Sequence, residues 1–340
     1  MSADTQTFDK KFDTAQIMRQ VLLALLPGVI TTIWFLGLGV VANILLAIAF
    51  CLCCEALALY LCGQAIAANL RDGSALVTAV LLGLALPPFA AWWLILIGAA
   101  GAVLLVKQTY GGLGQNIFNP AMAGYVLILL LFPAQLAHWS SPAALDGYAL
   151  DGYTMATALD SFKQNRALTV ADWWRTHAQF GNWGGYGWEW INLAFVGGGL
   201  YLLQQKIISW QIPASVLLAL GFIAAVFYDN GSSASGGSPL YHWLSGATML
   251  GAFFIATDPA TSATTARGRL CYGALIGVSI YAIRRWGHYP DSIAFAVLLG
   301  NSAAPLFDKL DLLLRARSTP KTQHVETAAQ PGEPGAQHDE

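Results

Sequence analysis

Ten apolar runs, in two sets of five parted by one long polar and aromatic segment, restrict this chain to the folds a bilayer allows. A helix needs about 20 apolar residues to cross the hydrocarbon layer. The runs extend approximately over Arg19 to Leu38, Val40 to Leu61, Ser74 to Ala90, Ala91 to Val106, Pro120 to His138, Trp190 to Leu203, Ile207 to Tyr228, Leu240 to Thr257, Leu270 to Arg284 and Asp291 to Leu306. Composition points the same way: 56% of the 340 residues are hydrophobic and 11% charged, against about 25% charged in a soluble domain. The expected fold is an all-α polytopic membrane protein of about ten transmembrane helices, with one long extracytoplasmic loop. An odd number of spans per half turns the second half upside down, so the two five-helix halves are expected to be inverted repeats.

The expected order is a cytoplasmic N-terminal segment (1–18), a first membrane half (19–138), an outer loop (139–189), a second membrane half (190–307) and a cytoplasmic tail (308–340). The last residues, about Ser318 to Glu340, are rich in Pro, Gly, Gln and charge and are expected to be disordered. The first run is long and has no small-residue cleavage site behind it, so it reads as an anchor and not a cleaved signal. Cytoplasmic loops are enriched in Lys and Arg. With both termini inside, 12 of the 17 basic residues fall on the cytoplasmic side, the exceptions being Lys163, Arg166, Arg175, Arg284 and Arg285. Three of these lie in the long loop, where charge hardly affects translocation. The Arg284-Arg285 pair has no such explanation and suggests either a partner contact or a different count of spans at that point. A net charge of −2 and no basic stripe give no argument for nucleic acid.

The outer loop carries a polar island, Asp151-Gly152-Tyr153-Thr154-Met155-Ala156-Thr157-Ala158-Leu159. An acid, a hydroxyl residue three on and then Ala-Thr read as an acceptor for a covalently attached flavin at Thr157, with Asp151, Thr154 and Ala156 as the supporting motif. Short motifs have false positives, and two look-alikes occur. Ser245-Gly246-Ala247-Thr248 sits inside the eighth run with His242 in place of the acid; Thr261-Ser262-Ala263-Thr264 has Asp258 at the right offset but falls on the cytoplasmic side. Only Thr157 combines acid, accessibility and the outer face. The aromatic residues that follow, among them Trp173, Trp174, Trp183, Trp188 and Trp190, suit either interfacial anchoring or stacking on a flavin.

On the opposite face, Asn119-Pro120 and Asp258-Pro259 read as capped helix starts, which also fits irregular backbone lining a cavity. The Gly-rich loop Tyr110 to Asn119 lacks the spacing of a phosphate-binding loop. Glu55, mid-span, suggests function or a buried partner, an ion path or pairing with another subunit. Cys51, Cys53 and Cys54 do not have ferredoxin spacing and read as buried small residues.

Four blocks together resemble the RnfD/NqrB family, and most closely the RnfD component of the Rnf complex, an ion-translocating ferredoxin:NAD oxidoreductase. They are Lys107 to Asn116 running into Phe118 to Met122, the Asp151 island, Ser245 to Phe254, and Thr257 to Thr261. The resemblance implies FMN joined through its phosphate to Thr157, installed by a flavin transferase. It makes the Asn119 and Asp258 region a candidate for a second, noncovalent flavin, riboflavin, or for the ion path. It also implies a multi-pass protein of the bacterial inner membrane, working with iron-sulfur and flavin-bearing partner subunits to couple electron transfer to proton or sodium movement. The chain departs from the family at Thr154, where Ser is usual, and at Met155, where a small residue is commoner. The competing class is a small-solute channel or carrier with an inverted-repeat fold.

Overall fold

The computed structural model describes residues 13–112, 114–137, 139–140, 154–155, 157–164, 168–289 and 291–318. Every one of the ten apolar runs is helical there. In the first half these are α1 (Thr14–Leu36), α2 (Gly39–Leu61), α4 (Ser74–Ala85), α5 (Trp92–Ala100) continued by a π-helical stretch (Gly101–Gln108), and α6 (Pro120–Leu131), with short α3 (Ile66–Leu70) and α7 (Pro133–Leu136) between or after them. The second half has α10 (Trp188–Gln204), α11 (Gln211–Val226), α12 (Pro239–Trp243), α13 (Thr248–Leu250) continued by a π-helical stretch (Gly251–Ile255), α14 (Ala266–Trp286) and α15 (Ile293–Ser318). Between the halves lie the two-residue strands β1 (Trp139–Ser140) and β2 (Thr154–Met155), paired antiparallel, then α8 (Ala158–Gln164) and α9 (Val170–Thr176). Among the described residues, Thr14–Leu36, Gly39–Leu61 and Ile293–Arg315 are long and apolar enough to cross a membrane.

Local chemistry sets where the helices stop and start. Gly37, at φ +85°, makes the turn from α1 into α2, a conformation that a side chain would strain. Pro87 and Pro88 end α4 early, and the buried Asn43 amide donates to the freed Pro87 carbonyl at 2.8 Å. Asn119 caps α6, its side chain accepting from the Met122 amide at 3.2 Å with Pro120 in the first turn, as its sequence predicts. Asp308 bonds the amides and hydroxyls of both Thr264 and Thr265 at the start of α14.

Several expected boundaries move. The first helix starts at Thr14, ahead of residue 19, and the fifth ends at Leu131 before a break at Phe132. The expected tail from residue 308 is helical as far as Ser318, because Asp308 is tied to α14 and Asp311 is buried beside Arg267 and Arg315; residues 319–340 lie outside the described residues. The long loop is not featureless either, as it folds into β1, β2, α8 and α9.

The two halves pack by the same pairing rule. In the first, α2 lies against α4 and α5, and α5 against α6; in the second, α11 lies against α12 and α14, and α14 against α15. Their leading helices, α1 and α10, run antiparallel: Gln20 meets Tyr201, the Ala24 carbonyl meets Gly198, and Gly28 meets the Phe195 ring. Small residues allow this close approach. Gly198→Ala would drive a methyl into the Ala24 carbonyl, whereas Gly197→Ala meets open space. The first is therefore expected to cost about 1–3 kcal/mol and the second almost nothing, read as thermal midpoints in detergent.

Among the described residues, each half also buries one cation near the end of the helix of its fourth apolar run. Lys107 bonds Glu55 and Ser74, the first residue of α4. Arg284 bonds the stretch that leads into α13.

Candidate functional site: a cavity behind Thr157

Thr157 stands immediately before α8 and caps it. Its hydroxyl accepts from the Asp160 amide at 3.3 Å, and its carbonyl from the Ser161 amide at 2.9 Å. Residues 157 to 160 form one wall of a cavity of about 320 Å³, within the roughly 300–1,000 Å³ of ordinary small-molecule sites. Trp139, Trp188, Tyr125 and Tyr289 supply aromatic walls, while Ser245, Gly246 and Asp291 supply polar ones. The Trp139 and Trp188 rings meet edge-on at 5.5 Å. Pairing of Trp139 with Met155 and of Ser140 with Thr154 brings the strand before Thr157 to the same wall. Asp151 and Ala156 of the expected motif lie outside the described residues.

The floor of this cavity is a broken helix. Between α12 and α13 the backbone leaves helical geometry at Ser245-Gly246-Ala247, which frees carbonyls that a bilayer cannot hydrate. Buried side chains from elsewhere satisfy them. Asn192 on α10 donates to the Gly246 carbonyl at 2.8 Å and accepts from the Met249 amide at 2.9 Å. Arg284 donates to the His242 carbonyl at 2.8 Å, the Ser245 carbonyl at 3.2 Å and the Thr248 hydroxyl at 2.9 Å. Asp291, which faces the cavity, lies 3.7 Å from the same guanidinium.

This geometry separates the three acceptor-like stretches. Thr248 is fully buried and its hydroxyl is committed to His242, Ser245 and Arg284. The Thr264 hydroxyl donates to Asp308 at 2.8 Å at the far end of the chain's helices. Of the three, Thr157 alone borders the large cavity: Thr248 is buried, and Thr264 is exposed but bound to Asp308. The surroundings of the arginine pair are likewise settled: the partners of Arg284 are internal, and Arg285 bonds the Ala234 carbonyl at 2.8 Å. The expectation of a partner contact is corrected at Arg284, which is 4% exposed and committed within the chain; Arg285 is half-exposed.

At the opposite end a second cavity, about 130 Å³, is lined by Ser74, Lys107, Asn116, Asn119, Thr257 and Asp258. Asn119 and Asp258 thus meet in one place, joined by Asn301, which accepts from the Asn119 amide at 3.2 Å and donates to the Thr261 carbonyl at 3.1 Å. Contrary to expectation, Asp258 starts no helix but holds a turn through the Ala260 amide, and α14 begins at Ala266 with Thr265 as its cap. Glu55 finds its partner, Lys107, on its own chain. A small void of about 40 Å³ lies next to the Thr157 cavity and shares Tyr125, Trp139, Trp188, Gly246 and Asp291 with it. The loop aromatics divide: Trp188 lines the cavity, Trp173 packs with Phe162, Phe180 and Tyr241, and Trp183 and Trp190 are exposed. Sequence reading missed Asn192, Asp291 and Asn301. The signal was available in Asn192 and Asn301, since a polar residue within an apolar run needs a buried partner.

Comparison with known proteins matches residues 2–312 to the model of the NQR2, RnfD, RnfE family. The chain belongs to that family. Similar curated proteins carry the name of the RnfD component of an ion-translocating oxidoreductase complex. That of Cellvibrio japonicus is 49% identical over 315 residues, covering 87% of this chain and 88% of the relative. That of Ectopseudomonas mendocina is 51% identical over 306 residues, covering 87% and 89%, and that of Aeromonas hydrophila 48% over 326 residues, covering 87% and 93%. These relatives are thus components of an ion-translocating oxidoreductase complex, and the similarity to them extends over most of the chain.

Proposed function

We propose that this chain is the flavin-carrying membrane component of an Rnf-type ion-translocating electron transport complex, bearing FMN as a phosphoester on Thr157. One observation carries the reading: of the three acceptor-like threonines, Thr157 alone borders the aromatic-walled cavity of about 320 Å³. Thr157 would hold the phosphate, and Trp139, Trp188 and Tyr289 would flank the ring. Asp291, beside Arg284, and the Ser245 hydroxyl, which accepts from the Gly185 amide at 3.0 Å, fix the polar walls. A flavin supplies one- and two-electron transfer, while the protein supplies position, hydrogen bonds and dielectric. Thr157 is an attachment point and not a nucleophile of the mature protein.

The finer topology belongs to the same proposal. Ten spans in two inverted halves are supported by the antiparallel α1 and α10 and by the repeated pairing of helices. Basic-residue placement supports cytoplasmic termini in a bacterial inner membrane, with Thr157 on the outer face, where a flavin transferase would load it. The complex would supply iron-sulfur and flavin-bearing partner subunits and couple electron flow to movement of protons or sodium. The cavity at Asn119 and Asp258 is the candidate for a noncovalent riboflavin. Purified from cells that supply a flavin transferase, the protein should be yellow and stay fluorescent in a denaturing gel. A colourless chain would overturn the reading and restore the solute channel.

A further inference from the structure

We propose that Lys163 is the positioning residue that latches the Thr157-bearing segment onto the membrane body, so that whatever Thr157 carries is held in the cavity and not in solvent. The inference rests on the Thr157 reading for its flavin readout, but the latch itself is a property of the chain. α8 presents two faces. Thr157, Ala158, Leu159 and Asp160 turn to the large cavity. Phe162 and Lys163 turn to the end of α14 and to α12.

The Lys163 ammonium donates to the Tyr289 carbonyl at 2.9 Å and the Ile283 carbonyl at 3.3 Å, across more than a hundred residues of sequence. These carbonyls lie in and just beyond the last turn of α14, the end of a helix where a cation is favoured; that of Ile283 also accepts from the Gly287 amide at 2.9 Å. Arg284 and Arg285 occupy that turn as well, but their guanidinium groups are committed to the α12–α13 break, to Asp291 and to Ala234. Lys163 is therefore the cation that joins α8 to this end of the body. Burial lowers its pKa from the ordinary lysine value, with Asp160 opposing the shift, as expected of an ammonium withdrawn from water for a fixed contact. Two further contacts share the load: the Tyr241 hydroxyl donates to the Ala158 carbonyl at 3.0 Å, and Leu159 seats beside Gly246. Apolar packing of Leu159 and Phe162 sets where α8 lies, and Lys163 adds the directional bonds that keep Thr157 turned inward.

The test uses the full chain in detergent, as parent, Lys163→Met and Lys163→Arg, each co-expressed with a flavin transferase. Intact mass gives loading, and iodide quenching of flavin fluorescence gives exposure of the ring. Equal loading, with quenching several-fold stronger in Lys163→Met and near the parent in Lys163→Arg, is the expected result. Equal quenching in all three, or loss of loading in Lys163→Met, overturns the latch. A second measurement needs no flavin: in a Thr157→Val background, amide hydrogen exchange over residues 158–164 should accelerate about tenfold with Lys163→Met, since hydrogen bonds from a charged group hold that segment closed. Unchanged exchange there overturns the latch even if Thr157 proves to be the flavin site; accelerated exchange there, together with no covalent flavin on the parent chain, overturns the Thr157 reading and leaves the latch standing.

Discussion

Thr157→Val is expected to remove all covalently bound flavin, and Thr157→Ser to retain it. Valine keeps the branched shape of threonine but has no oxygen to carry the ester, whereas serine keeps the hydroxyl at the same place before α8. Among the described residues the Thr157 hydroxyl accepts one weak bond, from the Asp160 amide at 3.3 Å, so losing it costs the fold about 1 kcal/mol as a cap while removing the attachment atom outright. Thr248→Val and Thr264→Val are the necessary companions. Both have acceptor-like sequences, yet the Thr248 hydroxyl is enclosed among His242, Ser245 and Arg284, and that of Thr264 is bound to Asp308. Covalent label, read as denaturing-gel fluorescence and intact mass, should persist in these two. Label that survives in Thr157→Val and disappears in Thr264→Val would move the acceptor to the other end of the helices and reverse the proposed orientation.

How much of this was legible beforehand depends on the range of the interactions involved. Apolar runs report on the solvent each segment sees, so the helical character of all ten could be read directly, and Asn119-Pro120 announced a helix start through a local cap. Boundaries that depend on distant partners could not. α15 continues past residue 307 because Asp308 reaches Thr264 and Thr265 and because Asp311 is buried beside two arginines; neither contact leaves a mark near residue 308. The same holds for the site. Thr157 could be picked out as a candidate from its neighbours in sequence, but the cavity behind it is assembled from Tyr125, Trp188, Gly246 and Asp291, which come from four separate parts of the chain. The Ser245-Gly246-Ala247-Thr248 stretch is the instructive case. In letters it imitates a modification site, and in three dimensions it is a helix break whose glycine lets the Leu159 side chain approach.

That break leads to the second large effect. Arg284→Met should destabilise the protein by about 3–5 kcal/mol, the range for removing one partner from a buried ionic network. The guanidinium satisfies two carbonyls and a hydroxyl that have no water to turn to, and it faces Asp291 at 3.7 Å. Methionine has the length to fill the space but donates nothing, so the His242 and Ser245 carbonyls would be left to share the single proton of the Thr248 hydroxyl, and Asp291 would keep a poorly compensated charge. Arg284→Lys should recover only part of the loss, because one ammonium cannot reproduce a planar fork that reaches both carbonyls and the Thr248 hydroxyl. Arg285→Met is the control: that side chain makes one bond, to the Ala234 carbonyl, and is half-exposed, so its loss should stay within about 1 kcal/mol. Thermal midpoints in detergent should therefore fall on the order of 10 °C for Arg284→Met and hardly at all for Arg285→Met. Equal melting of the two variants would mean that Arg284 does not hold the break. If the expected order is found, the one basic pair that runs against the charge asymmetry of this chain is explained without a partner: the arginine is on that side because the floor of the Thr157 cavity cannot keep its shape without a buried donor.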